Sequence, residues 1–278
     1  MYLLFSRVVL YCDYARSLGY QYVRVKSPDT DIFFILLYHA KKMTDVIILF
    51  DTGTGNKRRL INITAMAQEV SELHTEALLA LHAYCGCDTT SAFKGIGHLK
   101  PLKLLKKFTK FEGPLARLGS SWAVPQKLMD ELDAFTCSLY GRQNIKSVDE
   151  LRYLKLSEVG AEDKQVNPSK NVDLASVPPC RKSLEQHIRR VNYQVGIWKH
   201  ANVPNPTIPA PTDNNGWTLV DGKLEPLWFD CDPLPESLAD VSQRCDTEDD
   251  EDSDLDDSDD GIEYENHEQS CQDSDSDA

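Results

Sequence analysis

The stretch Tyr22-Val-Arg-Val-Lys26-Ser-Pro-Asp29-Thr-Asp31-Ile-Phe33 sets the expected fold of this chain. Its first five residues are rich in β-formers and predict a short strand. Asp29 or Asp31 can then cap a helix that runs from Ile32 to about Met43. The stretch therefore predicts a strand, a turn that carries two aspartates, and a helix.

The residues on either side extend this alternation. Val8–Leu18 has helical spacing and ends at Gly19. Asp45–Asp51 predicts a second, buried strand, and Arg59–Ile63 predicts a third. Alternation at this spacing is typical of an α/β fold, with a mostly parallel sheet and helices on both faces. Ligands bind such sheets at the carboxyl ends of the strands, where the two aspartates fall.

A third aspartate, Asp88, follows a predicted helix that starts at Thr75 and ends at Cys85. The pattern predicts a very short helix after Asp88, a Gly-Ile-Gly hairpin and another helix opened by Pro101. Residues 75–110 thus form a predicted helix–hairpin–helix element. Glycines let a backbone approach phosphate closely, and flanking lysines attract it whatever the base sequence. The candidate nucleic-acid-binding residues are Lys94, Gly95, Gly97, His98, Lys100, Lys103 and Lys106.

The three aspartates have two interpretations. As catalytic and metal ligands, Asp29, Asp31 and Asp88 would bind Mg²⁺ or Mn²⁺, hard ions that prefer carboxylate oxygens and assist phosphodiester hydrolysis. As helix caps, they would stabilise the fold and carry no chemistry. The lysines likewise could be a solvated helix face beside an ordinary turn.

The rest of the chain divides by composition. Residues 113–200 predict a helical extension, with helices over Gln126–Tyr140 and Ser183–Trp198 and a polar loop over Glu158–Val177. Residues 201–244 hold a proline-rich segment and a tryptophan hairpin with an Asp-Gly turn. Residues 245–278 predict a disordered acidic tail.

Charge is strongly asymmetric along the chain. Residues 246–277 contain 17 acidic residues and no lysine or arginine, whereas residues 1–245 carry 27 acidic and 30 basic residues. Residues 1–245 could bind a polyanion such as nucleic acid. The acidic tail could fold over the lysines of residues 94–110 and compete with that polyanion, or it could bind protein partners. The eight cysteines form no CxxC pair and indicate reduced thiols. No apolar run reaches the length of a bilayer span, so we expect an intracellular protein of nucleus or cytoplasm.

Three segments in order resemble the flap-endonuclease (XPG-type) branch of PIN-like nucleases. They are Ser27-Pro-Asp29-Thr-Asp31-Ile-Phe33, Leu78-Leu-Ala-Leu-His-Ala-Tyr-Cys-Gly86-Cys-Asp88, and Phe93-Lys-Gly95-Ile-Gly97-His-Leu-Lys-Pro-Leu102. The resemblance implies a partial PIN-like three-layer core over 1–112, a metal site at the three aspartates, and hairpin glycines that bind duplex backbone. Of the two nucleic acids, we expect DNA in preference to RNA. The remainder is similar to animal proteins related to mobile elements.

The chain also departs from that family. Met1–Leu10 contains no acidic residue, although the family has a glutamate pair about twenty residues before its second aspartate pair, and its first strand is missing here. Incomplete ligand sets usually lose nearly all activity. We therefore expect a diverged or truncated nuclease-like protein, inactive as it stands, whose residual activity would be that of a Mg-dependent endonuclease. Two alternatives remain: a non-enzymatic interaction scaffold, and a partial product of a longer coding sequence.

Overall fold

The strand–helix alternation at the start of the chain forms a small mixed sheet in the computed structural model, which describes residues 7–162 and 177–229. Strands β1 (Tyr22–Lys26), β2 (Ile47–Thr52) and β3 (Arg59–Asn62) lie in that order, β1 parallel to β2 and β3 antiparallel to it. A separate hairpin pairs β4 (Trp217–Val220) with β5 (Lys223–Pro226). The predicted mixture of helices and strands is therefore confirmed, but the sheet is mixed rather than mostly parallel, because the short link from β2 to β3 allows only an antiparallel return.

The helices of the described residues are α1 Arg7–Ser17, α2 Thr30–Ala40, α3 Ile63–Glu69, α4 Glu72–Cys85, α5 Leu99–Lys107, α6 Glu112–Arg117, α7 Gln126–Leu139, α8 Val148–Glu162 and α9 Arg181–Lys199. None of them is both long and apolar enough to cross a membrane. Helices make up most of the described residues, and the sheet is a minor layer.

The sheet buries one face and exposes much of the other. In the register, Val23 lies opposite Ile48 and Val25 opposite Phe50, and these side chains join the hydrophobic core with α2 and α3. Alternate residues point the other way, and there the large side chains of Tyr22, Arg24 and Leu60 are exposed. Among the described residues, no helix covers the sheet at these three positions, so the expected second layer of helices is not confirmed.

Helix α9 is the central element of the core. Its side chains are buried on almost every side, and it packs on α2, α4 and α7. Its Gly196 lies against the ring of Trp122, where a Cβ would come within 2.6 Å of that ring. The helices after residue 112 therefore share one hydrophobic cluster with the sheet and α4.

Several local predictions need correction. The very short helix predicted directly after Asp88 does not form. Residues 87–90 form a tight turn with a β-bridge between Cys87 and Thr90, because the Thr90 hydroxyl bonds the Ala83 carbonyl of α4 instead of capping a new helix. The polar loop predicted from Glu158 is helical as far as Glu162, since α8 continues there. The sequence pattern also missed α6 and most of α8. It placed the start of α4 at Thr75, whereas Ser71 caps this helix by accepting a 3.1 Å hydrogen bond from the His74 N–H.

Several expectations fall outside the described residues. Residues 163–176 of the predicted loop and the whole acidic tail lie there. Within the described part of the chain, the cysteines Cys12, Cys85, Cys87, Cys137 and Cys180 are free thiols.

Candidate functional site

Asp29 is the N-cap of α2. Its backbone is extended (φ −86°, ψ 125°), and its Oδ1 accepts a hydrogen bond of 2.8 Å from the backbone N–H of Asp31. Its own N–H donates to Ser27 Oγ at 3.1 Å, which fixes the turn between β1 and the helix. The capping interpretation of this residue is thus observed directly, and the cap commits one carboxylate oxygen.

Asp31 lies in the first turn of α2 and is 7% exposed. His82, on α4, donates a 2.7 Å hydrogen bond from Nε2 to Asp31 Oδ1. The histidine ring stacks on Phe34 at 4.4 Å and faces Trp198 at 6.0 Å. A buried carboxylate needs such a partner, so this contact ties α2 to α4 and commits one oxygen of Asp31.

Asp88 lies on the surface in the turn that follows α4. Gly86 ends the helix with φ +112°, and a Cβ there would approach the Ala92 backbone to 2.9 Å. Thr90 Oγ1 donates to Ala83 O at 2.6 Å and accepts from the Cys87 N–H at 3.1 Å. The turn therefore has its own hydrogen bonds and holds Asp88 at the edge of the Asp29 region.

The other two carboxylates influence Asp29. Burial raises the pKa of Asp29, and the negative charges of Asp31 and Asp88 raise it further, against the hydrogen bond from the Asp31 N–H and the nearby His82. Like charges that interact in this way disfavour one another's ionised forms. Asp29, Asp31 and Asp88 therefore form a negatively charged corner of the fold, where a cation would relieve the repulsion.

The arrangement does not fit a preformed metal site. In residues 7–162 and 177–229, no group of three or more His, Cys, Asp or Glu side chains is placed to hold one ion. Asp29 and Asp31 have each committed an oxygen within the protein. We therefore derive no metal-dependent step from these residues.

The basic candidates lie on the adjoining loop and helix. The backbone at Gly95 has φ +76°, where a residue with a side chain would be strained. The buried side chains of Phe93 and Ile96 hold the loop against the core. Helix α5 buries Pro101 and Leu105 on its inner side. The exposed candidates are Lys94, Gly95, Gly97 and His98 in the loop and Lys100, Lys103 and Lys106 on α5.

A cavity of about 230 Å³ opens between α2, α4 and α5, beside the aspartates. Its wall is largely apolar and includes Phe34, Leu78, Leu81, His82, His98 and Leu102. The sequence pattern did not predict this cavity or the role of His82. A polar residue inside the apolar helical run Leu78-Leu-Ala-Leu-His82 was the signal available.

A fourth aspartate was also missed. Asp51, at the carboxyl end of β2, is 1% exposed and is bonded by two arginines. Arg58 Nε reaches Oδ1 at 2.9 Å, and Arg24 Nε reaches Oδ2 at 3.0 Å. The hydrogen bonds from Arg58 and then Arg24 hold the pKa of Asp51 well below its usual range. This acid is neutralised within the fold and is unsuited to bind an ion.

No family model matches the chain, and no curated protein or solved structure matches it either.

Proposed function

We propose that this chain binds nucleic-acid backbone through the exposed surface of residues 94–106, as a diverged relative of the flap-endonuclease-like proteins. The observation that carries the proposal is the row of exposed lysines on α5, which begins directly after a glycine-containing loop. Lysines on one helix face neutralise successive phosphates and release counterions. Helix α4, the loop and α5 would then act as the helix–hairpin–helix element of a partial PIN-like core.

The aspartates would have a mainly structural part in this function. Asp29 caps α2, and Asp31 holds His82. Mg²⁺ or Mn²⁺ would bind weakly at this corner, through the remaining oxygens of Asp29 and Asp31 together with Asp88. The proposal includes no phosphodiester cleavage, because a set of acids that acts together loses nearly all its activity when it is incomplete. DNA is the preferred ligand over RNA in this proposal.

A second candidate is a protein-interaction scaffold built on the proline-rich segment, the tryptophan hairpin and the acidic tail. The favouring observation is the apolar exposure of the hairpin region, where Leu219, Val220, Trp228 and Phe229 lie at the surface. Large exposed aromatic and aliphatic side chains mark interaction sites when they cluster. Under this candidate, the lysines of α5 are a solvated face.

The deciding experiment is a salt titration of duplex DNA binding. The triple variant Lys100→Glu/Lys103→Glu/Lys106→Glu is compared with the equally charged control Lys127→Glu/Lys146→Glu/Lys223→Glu, which changes exposed lysines elsewhere. We expect the first variant to lower the slope of log affinity against log salt by about 2 to 3, and the control to leave it nearly unchanged. Equal effects of the two variants, or no DNA binding by the wild-type chain, would reject the proposal.

The metal part of the proposal is tested in the same assay. Millimolar Mg²⁺ should alter wild-type binding more than it alters Asp88→Asn binding, because the variant removes one charge from the corner. The same Mg²⁺ response in both proteins would remove Asp88 from the site.

A further inference from the structure

The cavity between α2, α4 and α5 has walls suited to a flat, uncharged ring. Phe34 and His82 stack face to face at 4.4 Å with an angle of 24° between their planes, so each ring covers one face of the other, and both residues line the cavity. The ring of His98, on the same cavity, has its centroid 6.1 Å from that of His82 and is tilted by 34°. Leu78, Leu81 and Leu102 complete the apolar lining.

The surrounding charges determine which kind of ligand can enter. The neighbouring carboxylates Asp29 and Asp88 repel an anionic group, and the apolar lining offers no counter-charge to one. Asp31 is buried and already accepts a hydrogen bond from His82, so it offers little to a cationic ring. An uncharged aromatic ring is not repelled by these carboxylates and needs no counter-charge. The exposed side chain of His98 makes no capping hydrogen bond, so it can bond to the edge of such a ring.

The cavity is adjacent to the basic helix. Leu102 lines it from α5, the helix that also carries the exposed Lys100, Lys103 and Lys106. A strand whose phosphates contact these lysines would bring its bases to the same helix. About 230 Å³ is less than the space that drug-sized ligands occupy, and suits a single ring system.

We propose that this cavity binds one unpaired nucleobase of a bound strand, packed against the Phe34–His82 pair and covered by Leu102. The inference rests on the proposed backbone binding at α5. It adds a preference for single-stranded or locally unpaired nucleic acid over continuous duplex, because a base inside a duplex cannot reach the cavity without leaving the stack.

The test compares a short oligothymidylate with an abasic oligonucleotide of the same length, both titrated into the full chain. Leu102→Trp fills the cavity from its rim. Leu99→Trp adds the same ring at a more exposed position of α5 that does not line the cavity. We expect the wild type and Leu99→Trp to bind the oligothymidylate about 5- to 100-fold more tightly than the abasic strand, and Leu102→Trp to lose that preference.

Each failure has a separate outcome. Equal affinity of the wild type for the two strands overturns the base pocket and leaves backbone binding intact. If neither strand binds, the proposed function fails, and a titration with free thymidine followed by the NMR signals of the Leu102 methyl groups decides the pocket; unshifted signals overturn it. Should Leu102→Trp unfold, Leu102→Ala replaces it and must weaken the preference to support the proposal.

Discussion

At the residue scale, the aspartates that share one sequence pattern differ in what they do. Asp31 is buried and bonded to His82, Asp29 caps α2 from a half-buried position, and Asp88 is exposed. A buried polar group without its partner keeps its full desolvation cost, whereas a surface group can turn to water. Their contributions to stability should therefore fall in a definite order.

We expect alanine substitution to destabilise the protein most at Asp31, less at Asp29 and least at Asp88. Asp31→Ala leaves His82 buried without its acceptor and should cost about 1 to 3 kcal/mol. Asp29→Ala removes a cap worth about 1 kcal/mol, and Asp88→Ala should stay within about 0.5 kcal/mol. Urea unfolding measures all three. A loss at Asp88 as large as that at Asp31 would contradict the order.

At the scale of elements, close approach of backbones fixes how α9 sits in the fold. Gly119, in the loop after α6, has φ +74°, and a Cβ there would lie 2.6 Å from the N atom of Gly196 on α9. Its N–H donates a 2.8 Å hydrogen bond to Asn192 Oδ1, and Asn192 is buried. The loop and the helix can meet in this way because residues 119 and 196 are both glycine.

Gly119→Ala should therefore lower the free energy of unfolding by more than the strain of a positive φ alone would. The matched control is Gly141→Ala, where φ is +90° but no atom lies within 4 Å of the added methyl group. We expect the control to lose about 1 to 2 kcal/mol from the positive φ, and Gly119→Ala to lose at least about twice that, because α9 must shift. Equal losses in urea unfolding would show that the contact is easily relaxed.

At the scale of the whole molecule, two buried histidines join α9 to the rest of the core. His39 Nε2 donates to Trp198 O at 2.8 Å, and His187 Nε2 donates to Tyr84 O at 3.0 Å. Burial lowers the pKa of each to about 4. Both rings are therefore neutral in the folded protein at pH values where an unfolded chain, with a histidine pKa of about 6.5, takes up protons.

Stability should fall as the pH is lowered from about 6.5 towards 4. In that window the unfolded state binds more protons than the folded state, and each histidine can remove roughly 3 kcal/mol. Burial also raises the pKa of Asp133, to about 6, and that of Asp29, and both shifts act in the opposite direction, so a histidine variant is needed to isolate the histidine contribution.

Urea unfolding between pH 7.5 and 4.5 measures this dependence. His187→Gln should show a weaker loss of stability on acidification than the wild type, and the exposed control His98→Gln should follow the wild type. A pH dependence unchanged in His187→Gln would exclude this histidine as a source of the acid sensitivity.

The sequence determined the local features, because their causes lie within a few residues. The alternation of Tyr22–Lys26 was sufficient to locate β1, Asp29 was identifiable as a cap, and Asp221-Gly222 adopts the positive φ angles of the expected hairpin turn. Asp31 accepts a hydrogen bond from a histidine 51 positions away, and Asp51 accepts one from Arg24, 27 positions away. Such pairings depend on how elements pack, which no local pattern encodes. The tertiary structure therefore decided that Asp31 and Asp51 are hydrogen-bonded inside the fold, that α9 is central, and that a cavity opens beside α5.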